Sequence, residues 1–73
     1  MMTSMPEFVV AYDSTSGKTL ELEEYQGHDE AYARFRELRE KYSTRPRVKL
    51  NILVAKDRAQ IEAYVNRWFH VLV

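Results

Sequence analysis

The first clear pattern along the chain is an uninterrupted apolar run, Phe8-Val9-Val10-Ala11-Tyr12, bounded by Pro6 and by Asp13-Ser14-Thr15-Ser16-Gly17. A short run rich in β-branched and aromatic residues predicts a buried strand. The segment after it supplies turn chemistry: Asp and Ser side chains bond to nearby backbone, and Gly17 tolerates a positive φ. From Lys18 to Tyr25 the pattern alternates, with Leu20 and Leu22 on one face and Thr19, Glu21 and Glu23 on the other. That predicts a second strand with one wet face, and therefore a hairpin.

Gly27 breaks the alternation, and His28-Asp29-Glu30 opens a helix for which Asp29 is the expected N-cap. Ala31, Phe35, Leu38 and Tyr42 recur at helical spacing, and the helix should end near Tyr42 or Ser43, because Pro46 disfavours helical geometry before it. Glu30 with Arg34, Arg36 with Glu40 and Glu37 with Lys41 are four apart, the spacing of ion pairs along one helix. A third strand, Arg47 to Ala55, sets Val48, Leu50, Ile52 and Val54 against Lys49, Asn51, Leu53 and Ala55. Asp57 then caps a second helix with Ile61, Val65, Trp68 and Phe69 on its apolar side. His70 to Val73 either prolong that helix or form a short strand.

These elements predict one α+β domain over residues 1–73 in the order ββαβα, with residues 1–5 as a disordered tail. The link from strand two to strand three through a helix predicts a right-handed crossover between parallel strands. Strand one, the least charged, belongs between them. The expected architecture is a three-stranded sheet of mixed or antiparallel strands, order 2-1-3, a split βαβ with both helices packed on one face.

Length makes the core small. A domain of 73 residues buries roughly 60% of the surface its unfolded chain exposes. Its stability should be on the order of 5 kcal/mol. There is no cysteine, which removes disulfides, thiolate nucleophiles and thiolate metal sites together. Met1 to Met5 lack the basic start and apolar stretch of a secretory signal, and no run approaches the roughly 20 apolar residues of a membrane span. A cytoplasmic protein with no membrane partner is expected.

Net charge is zero, but its distribution is not even: residues 1–30 hold seven acids and one base, while residues 31–73 hold ten bases and four acids. Arg34, Arg36, Arg39, Lys41, Arg45, Arg47 and Lys49 concentrate around one helix and its exit. Such a cluster is a candidate phosphate-contacting surface, with Tyr42 as a stacking platform, although no nucleic-acid recognition signature accompanies it.

No other constellation carries chemistry. Ser16-Gly17-Lys18-Thr19 resembles the end of a phosphate-binding loop, but the first glycine of that motif would fall on Tyr12, and a strand follows where the motif needs a helix. His28, Asp29 and Glu30 are adjacent and diverge around a helix start, so they do not form a metal site. His70 lacks a nucleophile to activate. No cofactor, metal or catalytic residue is expected, and the chain is not expected to be an enzyme.

Association ranks first among the remaining functions. A sheet covered on one side would leave Val9, Ala11 and Leu53 on an open face, and Val71, Leu72 and Val73 form an apolar tail. Those six residues are the candidate contact with a second copy or another protein, a homodimer being the simplest outcome. Nucleic-acid binding through Arg34, Arg39, Lys41, Arg45, Arg47 and Lys49 is the alternative.

Overall fold

The apolar run becomes β1 (Glu7–Asp13), the centre of a three-stranded sheet in the order β2-β1-β3, flanked by β2 (Thr19–Tyr25) and β3 (Val48–Val54). The computed structural model describes residues 5–72 and the side chains of residues 5–67. Both neighbours run antiparallel to β1, so β2 and β3 are parallel to one another and are joined through α1 (His28–Lys41). α2 (Arg58–Leu72) follows β3. The expected ββαβα order and 2-1-3 sheet are those observed, whereas the expected tail over 1–5 is described only at Met5.

The helices do not share a face. Phe8, Val10 and Tyr12 pack with Ala55, Ile61 and Val65, the last two from α2. Val9 and Ala11 pack with Ala31, Leu38 and Tyr42 at α1, and with Val48. Successive side chains of a strand point to opposite faces, so each helix covers one side of β1. The reason is the unbroken apolar run itself. An alternating strand needs cover on one side only, but five consecutive apolar residues present apolar surface on both. Phe8, Val9, Val10 and Ala11 are fully buried as a result.

β2 is not regular. Ala11 pairs with Glu21 and Tyr12 with Thr19, leaving Leu20 as an extra residue in a bulge. A bulge of this kind re-aims side chains. Leu22 accordingly packs with the α2-side core and Leu20 with the α1-side core, rather than both sharing one face. The same register puts Glu21 opposite Ala11 and Glu23 opposite Val9, on the side that α1 covers.

The helix ends show two kinds of start. Gly27, not Asp29, is the N-cap of α1, with φ −110° and ψ 139° and no side-chain bond to the helix. Asp29 and Glu30 lie in the first turn and Arg39 and Lys41 in the last, both matched to the helix dipole. α2 has the expected Asp57 cap: Asp57 Oδ1 accepts the Gln60 N–H at 3.0 Å, while Gln60 Oε1 accepts the Lys56 N–H at 2.8 Å. The helix continues through Leu72. The side chains of Trp68, Phe69 and His70 lie outside the described residues.

Among the described residues, Phe8 is the largest of the fully buried side chains. Phe8→Ala should cost about 3–5 kcal/mol, comparable to the whole stability expected of a domain this size. Urea titration followed by circular dichroism should find that variant largely unfolded without denaturant, and a cooperative transition near the wild-type midpoint would contradict the assignment of Phe8 to the core.

Candidate functional site

Part of the uneven charge of the sequence is used in contacts between α1 and β2. Arg34 leaves α1 toward β2, where its Nε lies 3.0 Å from both oxygens of Glu23, and its Nη1 donates to Glu37 at 2.9 Å. Glu21 takes Lys41 Nζ at 3.0 Å and the Tyr42 hydroxyl at 2.7 Å. The Tyr42 hydroxyl bond and then Lys41 hold the Glu21 carboxyl below the ordinary carboxylate range. Glu23 accepts the Tyr25 hydroxyl, which pushes that phenol up to about 12. Two acids predicted to face solvent thus anchor α1 to β2 across the sheet. Of the expected pairs four apart on α1, none is among the ion pairs formed by the described residues; Arg34 instead bridges Glu37, three residues on, and β2.

This geometry divides the basic candidates. Arg34 and Lys41 are committed to carboxylates. Tyr42 is buried, and its ring lies beneath Lys41 Nζ at 5.3 Å and the Arg45 guanidinium at 5.5 Å, so it offers no stacking platform. Arg39, Arg45, Arg47 and Lys49 stay exposed. No carboxylate among the described residues forms an ion pair with any of these four.

The Gly17 turn is closed to phosphate. Asp13 Oδ1 accepts the Thr15 and Ser16 amides at 2.7 and 3.1 Å, and Ser16 Oγ accepts the Lys18 amide at 3.2 Å. The amides of Asp13, Ser14 and Gly17 bond to carbonyls of Lys18, Arg47 and Asp13. No N–H from 13 to 18 is left to cradle an anion. Gly17 has φ 75°, the conformation the turn requires.

The partner candidates scatter. Val9 and Ala11 lie under α1, fully buried, because that face is covered. Leu53 is half-buried beside the α2-side core. The side chains of Val71 and Leu72, and Val73 as a whole, lie outside the described residues.

A different surface collects instead at the end of the sheet where β1 begins and β3 ends. Among the described residues the exposed large apolar ones are Met5 (54%), Tyr32 (46%) and Val54 (54%). Val54 pairs with Glu7, and the Ala55 amide bonds to the carbonyl of Pro6, next to Met5. Glu7 lies 2.7 Å from His28 Nδ1, His28 stacks on Tyr32 at 6.1 Å, and Tyr32 stacks on Phe35 at 6.3 Å. Helical spacing of 28, 32 and 35 was visible in the sequence, but Tyr32 falls beside the apolar stripe, and only the tertiary fold brings Met5 and Val54 to it.

Among the described residues no helix is long and apolar enough to cross a membrane, and no group of His, Asp and Glu could hold a metal ion. Compared with protein-family models, curated proteins and solved structures, the chain matches none.

The Glu7 carboxylate, first by its bond and then by its charge, raises the His28 imidazole above its ordinary value of 6.5. A raised folded-state value means that the contact stabilises the fold fully below the unfolded imidazole pKa, and that this contribution disappears as pH rises through the folded one. NMR titration should show His28 returning toward 6.5 in Glu7→Gln. An unchanged titration in that variant would show that the pair does not persist in solution.

Proposed function

We propose that the protein is a noncatalytic association module that pairs with a second copy through the apolar end formed by Met5, Tyr32 and Val54. The observation that carries this reading is that the exposed large apolar residues among the described ones all belong to the end of the molecule where β1 begins, β3 ends and α1 starts: Val54 pairs with Glu7, Met5 precedes the Pro6 carbonyl bonded by Ala55, and Tyr32 stacks on the His28 that meets Glu7. Gathered apolar surface with a polar rim is characteristic of protein contacts, whereas single exposed apolar residues are ordinary.

The sheet edge offers a second route to association, and the backbone argues against it. The Arg47 carbonyl and the Ala55 amide both bond toward β1, so by alternation the even residues of β3 direct their backbone groups outward. Two of those outward amides are already taken: Val48 N–H by the Arg45 carbonyl at 3.0 Å, and Ile52 N–H by Asn51 Oδ1 at 3.0 Å. Occupied donors blunt an edge strand. On the other edge, β2 carries Glu21, Glu23 and Glu24, and like charges resist pairing with another β2.

A second copy suits the apolar end because a two-fold contact must be self-complementary. Glu7 and His28 sit together at its rim, so a two-fold axis can place the acid of one copy against the base of the other.

Light scattering over a dilution series should give a mass rising from 8.7 kDa toward twice that value as concentration increases. Val54→Asp, on an exposed site that leaves both cores intact, should weaken association about tenfold or more. Tyr32→Glu should do the same. A wild-type chain that stays monomeric at the highest concentration, or dimers indifferent to both variants, would remove the proposal.

A further inference from the structure

At the opposite end of β1 from the apolar patch, the loop between α1 and β3 holds two arginines over a hollow. Asp13, Arg45, Pro46 and Arg47 line a concavity of about 240 Å³. The loop is pinned at several points: Arg45 N–H bonds to the Tyr42 carbonyl at 3.0 Å, and the Arg45 carbonyl takes Val48 N–H at 3.0 Å. The Arg47 carbonyl accepts both the amide and the hydroxyl of Ser14, at 2.8 and 2.6 Å. Pro46 fixes its own φ between them. The Arg45 guanidinium rests above the Tyr42 ring at 5.5 Å, which restricts where it points.

We propose that this hollow binds a phosphate group carried by a small solute. Two guanidinium forks presented from a rigid turn match the oxygens of a tetrahedral oxyanion and bond to them with charge assistance. Neither arginine is in an ion pair with a carboxylate of the described residues. The volume of about 240 Å³ admits a phosphate and a small attached body but is below the size of ordinary ligand pockets.

Asp13 sharpens the assignment. Its Oδ1 is occupied by the Thr15 and Ser16 amides, and its charge faces the same hollow as Arg45 and Arg47. The carboxylate opposes a bare anion, while its second oxygen takes part in no hydrogen bond with the described residues and leaves an acceptor for a hydroxyl or amino hydrogen from the body of the solute. A phosphomonoester with a neighbouring hydroxyl or amino group is the class that satisfies all three side chains. The site is separate from the apolar end, so the failure of one proposal leaves the other standing.

Inorganic phosphate is the probe. Titrated into the full chain at constant ionic strength, it should cause saturable NMR shifts confined to the Arg45 and Arg47 side-chain N–H signals and the Thr15 and Ser16 amides. Arg45→Gln and Arg47→Gln should each weaken binding about tenfold. Asp13→Asn keeps an oxygen for the two amides and removes the opposing charge, so binding should tighten about threefold. That gain is the readout a merely structural role for the loop would not produce. Shifts that never saturate, that spread equally over the other arginines, or that persist unchanged in Arg47→Gln would overturn the site. A single-stranded oligonucleotide that moves the same signals more tightly than phosphate would overturn the assignment to a small solute, and one that leaves them in place would support it.

Discussion

β1 sends consecutive side chains, Phe8 to Tyr12, alternately into two cores, and the rest of the fold is arranged to keep both of them dry. A domain of this size has little apolar surface to spare. Concentrating so much of it on one central strand requires a neighbour on each edge and a helix on each face. The 2-1-3 order supplies the edges. The chain then has to use its two helices on opposite sides, because stacking both on one side would leave Val9 and Ala11, or Phe8 and Val10, in water. Burial of one Val or Phe side chain is worth about 1.5–3 kcal/mol, a large share of the stability of so small a domain.

The second organising force is electrostatic, and it depends on the first. Covering the Val9 and Ala11 face brings α1 over β2, and the bulge at Leu20 puts Glu21 and Glu23 on that same side. Arg34, Lys41 and Tyr42 meet them there. Exposed ion pairs in isolation contribute little. Here, however, the carboxylates are shared among several donors on one helix, so the network sets which part of α1 lies over which part of β2. An acidic first half and a basic second half are the sequence record of that docking. Arg45 and Arg47 are among the charges that these ion pairs do not use.

Much of the architecture was legible because it follows from local rules. Gly17 and Asp13 announced the hairpin, the alternation of Val48 to Ala55 announced β3, and Asp57 announced the start of α2. The failures share a cause, which is that they depend on which faces meet. Five apolar residues in a row signal two-sided burial, and the single-sided reading of Phe8 to Tyr12 left Val9 and Ala11 as an apparent contact surface. The bulge at Leu20 could not be read from alternation, since Leu20 and Leu22 fit one face equally well. Arg34 has a carboxylate at helical spacing, Glu30, yet bonds across the sheet to Glu23. Met5, Tyr32 and Val54 are far apart in sequence and reach the same end of the molecule only when β3 pairs with β1 and the start of α1 meets Glu7. The functional surfaces lie in this non-local part of the information.

Coverage of both faces of β1 is the condition on which the rest of the fold depends. The chain contains no cysteine, so Val9→Cys, Val10→Cys and, as an exposed reference, Val54→Cys give clean reporters of access. Under native conditions a thiol-reactive probe should label position 54 rapidly and positions 9 and 10 slowly and to a similar degree. Rapid labelling at 9 with protection at 10 would mean that one face of the sheet is open, and would contradict the account.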